Sequence, residues 1–316
     1  MQTNQVAFVA ANIEIGQPHK GLVRSAEEFL SYLKRAHQKL NFSNDFDFYV
    51  NSEIIEVSPK IYSKDDFAKI DFCIYQNLAR LNEKILSENK IPFNFGGDHS
   101  VALATVEASL RHNKSTHVIW IDAHADANSA EQSLTGNFHG MPAYYLMNKL
   151  DRPINLNWMQ ALLQPDQITY IGLRDLDPFE IKLLDDLKID YFTSEEVNKN
   201  GIQKVIEKIN NKNKLFDQVH LSFDIDSLDP NYGLCTGVPA SNGLDVIDVE
   251  MLFQSIQQSG QLSNFDFVEI NPELAKSSNE LNHIYQMAYR LVSSVLPSNV
   301  KIINYFKEDQ HAIISN

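Results

Sequence analysis

The sequence predicts an α/β fold of three layers, α-β-α, in which a mainly parallel central sheet lies between helices in a single domain spanning residues 1–316. Three observations support this fold class. Short apolar runs alternate with longer amphipathic segments along the chain, as successive βα units do. The apolar runs are rich in Val, Ile and Phe, as buried parallel strands tend to be. No internal repeat or linker divides the 316 residues, a length that suits one large α/β domain.

Six apolar runs are the expected strands, and they cover residues 6–10, 92–95, 117–121, 168–173, 218–223 and 264–270. Helices are expected between them. The first begins at Ser25, where Glu28 completes a capping box, and it runs through residues 27–40. The second starts near Ser63 and covers residues 65–86. Two further helices begin near Ser194 and Asp245, and the last covers residues 280–295.

The composition argues against several classes of protein. A net charge of -14 repels phosphate groups, so nucleic acid binding is not expected. No segment approaches the roughly 20 apolar residues that cross a bilayer, so no membrane partner is expected either. Two cysteines, Cys73 and Cys235, cannot form a disulfide framework. Residues 1–17 lack the basic segment of a signal peptide, and we therefore expect a cytoplasmic protein.

Polar clusters follow three of the expected strands, at the edge where open parallel sheets bind ligands. The first cluster, residues 96–100, reads GGDHS. Taken alone, it indicates a strand-to-helix turn in which Asp98 or Ser100 caps the helix. The second cluster, residues 122–128, reads DAHADAN. In an extended chain its first three polar side chains would share one face, an arrangement that is costly for a buried strand without a cation.

The third cluster, residues 224–230, reads DIDSLDP and contributes two more aspartates. Together the clusters supply six candidate metal ligands, which are His99, Asp122, His124, Asp126, Asp224 and Asp226. So many anions exceed the need of one ion and suit two divalent ions about 3.5–4 Å apart. Mixed His and Asp ligation favours Mn(II), and leaves zinc, Co(II) and Fe(II) open. Water held between two such ions would lose a proton near neutral pH and become a nucleophile.

These segments resemble the ureohydrolases, and within that family the arginases. GGDHS, DAHAD and, at residues 222–230, SFDIDSLDP occur in the family's order. GNFHG at residues 136–140 and GLRDLDPFE at residues 172–180 are similar to arginases in particular. The resemblance implies an arginase-like fold with two Mn(II) ions per chain. It also implies a homo-oligomer, a trimer or hexamer, that cleaves the guanidinium group of L-arginine to ornithine and urea through a metal-bridging hydroxide.

The resemblance also implies roles for individual residues. It places one ion between His99, Asp122, Asp126 and Asp224, and the other between His124, Asp122, Asp224 and Asp226. It assigns the catalytic roles to Asp226, which passes a proton to the leaving amine, to His139, which exchanges protons with solvent, and to Glu269, which grips the guanidinium. The substrate's α-carboxylate and α-amino group would meet Asn128, Thr135, Asn137, Asp177 and Glu180.

The loop at residues 235–244 departs from the family pattern. It reads CTGVPASNGL where the family commonly has ATGTPVVGGL, so that Val238 replaces a threonine and Asn242 replaces a glycine. This departure keeps a second ureohydrolase activity open, on agmatine, guanidinobutyrate or a related guanidino acid. An alternative of another class is a catalytically silent protein that binds arginine as a regulator, although no expected metal ligand is missing.

Overall fold

The computed structural model describes residues 5–36, 49–51, 59–296 and 302–303. Nine strands within these ranges form one sheet, and its paired strands are all parallel. They are β1 (Gln5–Asn12), β2 (Tyr49–Asn51), β3 (Lys90–Phe95), β4 (Thr116–Ile121), β5 (Ile168–Leu173), β6 (Asp190–Thr193), β7 (Gln218–Asp224), β8 (Leu262–Val268) and β9 (Ile302–Ile303). The strand order is β2-β1-β3-β8-β7-β4-β5-β6, and β9 also pairs with β1. The predicted parallel sheet is confirmed.

Helices cover both faces of this sheet. They are α1 (Ser25–Ala36), α2 (Cys73–Ser87), α3 (Ala102–His112), α4 (Pro142–Met147), α5 (Pro178–Leu187), α6 (Ser194–Asn200), α7 (Ile202–Asn213), α8 (Val246–Ser259) and α9 (Ser278–Val295). One apolar cluster joins the sheet to α1 and to α6 through α9. A second cluster joins the opposite face to α2 through α5. The expected three layers are therefore present.

Strand β4 shows why the strands are recognisable in the sequence. Its residues Val118 and Trp120 belong to one apolar cluster, while Ile119 and Ile121 belong to the other. All four are fully buried. Because both faces of the strand are covered by helices, these four consecutive positions are all apolar.

Two helix predictions near the start of the chain are wrong in detail. The capping box of Ser25 and Glu28 does not form, because a 3-10 turn at Leu22–Arg24 precedes Ser25, which is already helical. Glu28 instead pairs with Arg24 at 2.5 Å. Residues 37–40 of that predicted helix lie outside the described residues.

The second predicted helix is two separate elements. A 3-10 helix at Lys64–Lys69 ends before Ile70, which is extended, with φ of -102° and ψ of 130°. Helix α2 then begins at Cys73, whose backbone N–H donates to the carboxylate of Asp71 at 2.9 Å. An aspartate that accepts a hydrogen bond two residues onward favours a helix start over a helix interior.

The later helix predictions are confirmed at their starts. Helix α6 begins at Ser194, although Gly201 separates it from α7. Helix α8 follows Asp245, whose side chain accepts a hydrogen bond from the N–H of Ile247. Within the described ranges, no helix combines the length and the apolar character that a bilayer crossing demands.

Candidate metal centre

The carboxyl ends of four neighbouring central strands carry the candidate site. In the sheet these strands lie in the order β3-β8-β7-β4. Glu269 comes directly after β8, and Asp224 is the last residue of β7. Because the strands are parallel, the segments that follow them meet at one edge of the sheet. The strand order thus brings together groups that are far apart in the sequence.

The turn after β3 places His99 over this edge. Gly97 has φ of 79°, and a Cβ there would lie 2.3 Å from the carbonyl oxygen of Ala11. Only glycine fits so close an approach. Asp98 accepts hydrogen bonds from the backbone N–H of Gly16 at 2.7 Å and of Ser100 at 3.0 Å. The expectation that Asp98 caps this turn is confirmed, and His99 is left as the ligand candidate.

The aspartates converge by turns and not by extended alternation, so that part of the sequence argument is wrong. Strand β4 ends at Ile121, and Asp126 has a left-handed φ of 50°. Asp226 lies on a 3-10 turn at Ile225–Ser227. The carboxylate of Asp122 accepts the N–H two residues onward at 2.8 Å, and that of Asp224 does the same at 2.8 Å. Such local bonds bend the chain and aim each carboxylate.

The first group of ligand atoms surrounds His99. Its Nδ1 atom lies 2.7 Å from Asp122 Oδ2, 3.0 Å from Asp126 Oδ2 and 3.3 Å from Asp224 Oδ2. All four side chains are buried. The other ring nitrogen, Nε2, lies 2.9 Å from the hydroxyl of Ser222, which fixes the orientation of the ring.

The second group surrounds His124. Its Nδ1 atom lies 3.2 Å from Asp226 Oδ2 and 3.4 Å from Asp122 Oδ1. Asp122 therefore turns one oxygen to each histidine. The Nε2 atom of His124 is 3.6 Å from Asp175 Oδ2, a residue that the sequence argument missed. Both groups have ligand atoms close enough to hold a metal ion.

The charges of these groups fit divalent cations. Burial, and after it the charge of the nearby Asp122 carboxylate, raises the pKa of Asp126 to about 7. Burial and the surrounding carboxylates also raise the pKa of Asp224 and of Asp226. Asp126 Oδ2 is buried and lies 3.0 Å from His99 Nδ1, an atom that it shares with Asp122 and Asp224. Crowded, buried carboxylates of this kind need positive charge, and oxygen and imidazole ligands suit divalent ions.

The histidines respond to the same crowding in the opposite sense. Burial alone would lower the pKa of His99, but the hydrogen bonds of Asp122, Asp126 and Asp224 raise it well above its ordinary value. His124 behaves likewise, because the charge of Asp226 outweighs its burial. Both shifts report the density of negative charge around the two imidazoles, which is the environment that divalent cations need.

A cavity of about 280 Å³ opens above these ligands. The residues that the resemblance assigned to catalysis and substrate binding all line it, namely Asp226, His139, Glu269, Asn128, Thr135, Asn137, Asp177 and Glu180. Val238, from the divergent loop, lines it as well. The structure thus brings together side chains from the ends of β4, β5, β7 and β8 around one space.

Glu269 and His139 form a pair on the cavity wall. His139 Nδ1 lies 2.8 Å from Glu269 Oε1, which also accepts the backbone N–H of His99 at 3.0 Å. Burial raises the pKa of Glu269 and lowers that of His139. Glu269 has a left-handed φ of 65°, an uncommon conformation for a residue with a Cβ.

The outer part of the cavity is braced by hydrogen bonds. Asn128 donates to Asp177 at 2.9 Å. Glu180 accepts from the backbone N–H of Ala127 at 2.9 Å and of Asp177 at 3.0 Å, so both its oxygens hold the chain. Thr135 Oγ1 accepts from the N–H of Asn137 at 3.2 Å.

Arg174 is a further residue that the sequence argument did not single out. Its guanidinium donates to the carbonyl oxygens of Asp226 at 2.5 Å and of Ala240 at 2.9 Å. It therefore ties the turn that carries Asp226 to the divergent loop. The sequence could have indicated this residue, because Arg174 and Asp175 directly follow the apolar strand β5, just as the three polar clusters follow their own strands.

Comparisons with known proteins agree with this geometry. Residues 4–296 match the model of the arginase family. The mitochondrial arginase-2 of Mus musculus is 36% identical over 225 residues, which are 69% of this chain and 64% of that protein. The arginase-1 of Sus scrofa is 36% identical over 245 residues, 73% of this chain and 75% of that protein.

Solved structures give the same result. The Entamoeba histolytica arginase, determined in complex with L-ornithine, superposes with a TM-score of 0.80 at 28% identity, covering 93% of this chain and 99% of that one. The mouse relative is matched over only 64% of its length. On the family model and these identities, the chain belongs to the arginase family.

Proposed function

We propose that this chain hydrolyses the guanidinium group of L-arginine to ornithine and urea, using two Mn(II) ions. One observation carries the proposal: the two oxygens of buried Asp122 face His99 Nδ1 and His124 Nδ1, at the floor of the cavity that Glu269 and His139 line. One carboxylate reaching two imidazoles in this way suits a pair of ions. Membership of the arginase family supports the choice of a guanidinium substrate.

The residues around the ions have separate tasks. His99, Asp122, Asp126 and Asp224 would hold one ion, and His124, Asp122, Asp224 and Asp226 the other. When bound, the ions supply an activated water as nucleophile for the guanidinium carbon. Glu269 orients the guanidinium by charge-assisted hydrogen bonds. Asp226 transfers a proton to the leaving amine as the C–N bond breaks, and His139 exchanges protons with solvent.

The outer end of the cavity would select the substrate. Asn128, Thr135 and Asn137 offer amide and hydroxyl groups for an α-carboxylate, and Asp177 and Glu180 offer carboxylates for an α-amino group. A site that leaves such groups unpaired with the wrong ligand discriminates strongly. We therefore expect arginine to be preferred over agmatine, which lacks the carboxylate.

Urea release from arginine, agmatine and guanidinobutyrate tests the proposal, with metal-stripped protein assayed before and after reloading with Mn(II). We expect Mn(II)-dependent turnover that is fastest with arginine. Faster turnover of agmatine or guanidinobutyrate would assign the chain to the alternative ureohydrolase activity. Arginine binding without urea release would instead support the silent regulator.

The domain organisation, assembly and location of the protein are also part of the proposal. We propose one domain over the whole chain, a homo-oligomer of three or six copies, and a cytoplasmic location. Cys73 and Cys235 are both free thiols, which agrees with a reducing compartment. Light scattering of the purified protein would test the oligomer, and cell fractionation would test the location.

A further inference from the structure

A short segment, residues 60–62, holds the cavity-lining residues 135–137. The Nζ atom of Lys60 donates to Asn137 Oδ1. The backbone N–H of Ile61 donates to the carbonyl oxygen of residue 136 at 2.8 Å. The hydroxyl of Tyr62 donates to the carbonyl oxygen of Thr135 at 3.0 Å. Residues 60, 61 and 62 therefore hydrogen-bond to residues 137, 136 and 135 in turn, so the two segments run in opposite directions.

The fit between the two segments is close. Gly136 has φ of 67°, and a Cβ at this position would lie 2.8 Å from the Tyr62 ring. The loop is also held beyond this contact, since the N–H of His139 donates to the carbonyl oxygen of Gly16 at 3.0 Å. Residues 135–139 are therefore held by hydrogen bonds to two other segments of the chain, residues 60–62 and Gly16.

The charge of the cavity makes the ammonium of Lys60 important. Asp and Glu supply seven of the residues that line the cavity, and none of its lining residues is Lys or Arg. Three of these acidic residues, Asp175, Asp177 and Glu180, are neither proposed metal ligands nor the guanidinium-binding Glu269, and they disfavour a carboxylate that enters beside them. The positively charged ammonium of Lys60 lies beside Asn137, which lines the cavity. That charge offsets the repulsion where an amino acid substrate would need it.

The same contact orients the Asn137 amide. Because its Oδ1 atom accepts from Lys60, the amide presents its NH₂ group as the remaining hydrogen-bonding group. An NH₂ group donates to carboxylates. Lys60 therefore acts on a carboxylate in two ways, by its charge and by fixing the donor side of Asn137.

We propose that Lys60 is a specificity-determining residue, which makes the site select guanidino acids over guanidino amines. Tyr62 and Ile61 act with it as positioning residues, because they hold the loop that carries Asn137. This inference rests on the proposed function, since it concerns the far end of the same substrate. It adds a residue outside the cavity lining to the substrate-binding apparatus.

Steady-state kinetics of K60M with arginine and agmatine test the inference. We expect the KM for arginine to rise about two- to fivefold, as for loss of an exposed charge-assisted contact, while kcat changes less than about 1.5-fold. Agmatine kinetics should not worsen. K60R should recover most of the arginine KM. An equal change for both substrates, or no change for either, would overturn the assignment.

Lys64 offers a matched control on the same stretch of chain. It is exposed and pairs with Asp151 at 2.8 Å, not with residues 135–137. K64M removes the same charge and should leave the arginine KM at the wild-type value. If K64M and K60M raise it equally, the effect comes from net charge and the inference fails.

A binding measurement separates this inference from the proposed reaction. Calorimetry of the Mn(II)-loaded protein with ornithine and with putrescine compares ligands with and without the carboxylate. K60M should weaken ornithine binding about two- to fivefold and leave putrescine binding unchanged. If the wild type releases no urea from any substrate, the proposed function fails, while this pair of ligands still decides the role of Lys60. Equal weakening of both ligands would reject it.

Discussion

Asp122 is the residue on which the two ligand groups depend. It is fully buried, and the indole Nε1 of Trp120 donates to its Oδ2 atom at 3.1 Å. The ring of His99 stacks on the same indole at 4.3 Å between ring centroids. The hydrogen bonds from His124 and His99 lower the pKa of Asp122 despite its burial. The carboxylate is therefore held charged, and the indole of Trp120, which is not a proposed metal ligand, helps to orient it.

Replacing Asp122 with asparagine should remove this shared ligand. We expect D122N to retain at most one tightly bound ion per chain, and urea release to fall at least about a thousandfold, because a metal site loses its nucleophile when its geometry fails. Elemental analysis of the reloaded protein measures the metal content. D175N is the matched control, since Asp175 is 66% exposed and lies 3.6 Å from His124 Nε2. It should keep two ions with weakened affinity.

Asn242 explains how one departure from the family pattern is tolerated. It has a left-handed φ of 62°, the conformation in which glycine is common. Asparagine adopts this region more readily than other residues with a Cβ. The loop can therefore keep the backbone path of the family although its sequence differs. Val238, by contrast, is 38% exposed at the cavity and places an apolar side chain where the family commonly has a hydroxyl.

Two substitutions at position 242 test this account. N242A should lower the free energy of unfolding by about 1 kcal/mol, because alanine is strained in the left-handed region. N242G should stay within about 0.5 kcal/mol of the wild type. Thermal unfolding of the metal-free protein measures both. N157A provides a control at an exposed asparagine with an ordinary φ of -63°. Equal losses in N242A and N157A would contradict the argument.

Helix α5 links the substrate end of the cavity to the metal ligands. Its capping box joins Asp177 and Glu180. Glu180 also accepts the N–H of Ala127, next to the ligand Asp126. The start of this helix therefore fixes the position of a ligand on a separate loop. Burial raises the pKa of Glu180 to about 7, so keeping this carboxylate ionised between the two N–H groups costs free energy.

The capping box permits a paired test. In E180Q the amide nitrogen must face one of two backbone N–H groups, which leaves that donor unsatisfied. We expect the free energy of unfolding to fall by about 1–3 kcal/mol, and the arginine KM to rise. E196Q alters the exposed capping box of α6, where Glu196 bonds the N–H of Thr193. Its loss should stay below about 1 kcal/mol. An unchanged KM in E180Q would place Glu180 outside substrate binding.

The elements differ in how far the sequence predicts them. Strands such as β4 are predictable because burial on both faces leaves a continuous apolar run. The break before α2 is not, since the side chain of Asp71 acts over two residues and its apolar neighbours continue the helical pattern. The ligands were predictable from residue type and strand ends. Their path was not, because Asp126 adopts a left-handed φ of 50° that its residue type does not predict.

The strand order belongs to the whole molecule and could not be predicted either. Strand β4 is the next strand after β3 in the sequence, yet β8 and β7 lie between them in the sheet. This order places Glu269 beside His99 and Asp224 beside Asp122. Local sequence patterns carry no information on such long-range pairing. The six ligand candidates could therefore be named from the sequence, while their neighbours Glu269 and His139 needed the family resemblance.

Away from the metal centre, the buried His117 makes the stability of the whole molecule depend on pH. His117, at the amino-terminal part of β4, is fully buried. Its ring bonds Asn213 Oδ1 at 2.5 Å and Thr169 Oγ1 at 2.9 Å, and stacks on Phe216. Burial lowers its pKa to about 4 from 6.5, since neither hydrogen bond supplies a full negative charge. Between these two pKa values, His117 is neutral in the folded protein and protonated in the unfolded chain.

Between pH 6.5 and about 4 the unfolded state therefore binds more protons at His117, and the free energy of unfolding should fall as the pH falls. The loss from this residue approaches about 3 kcal/mol at the lower end and is absent above pH 7. In H117Q, which does not titrate, the total fall in the free energy of unfolding between pH 7 and pH 4 should be smaller by about 3 kcal/mol. Equilibrium unfolding of metal-free protein across this range measures it. H112Q, at an exposed position, should reproduce the wild-type slope. A slope in H117Q equal to that of H112Q would show that other groups govern the acid sensitivity.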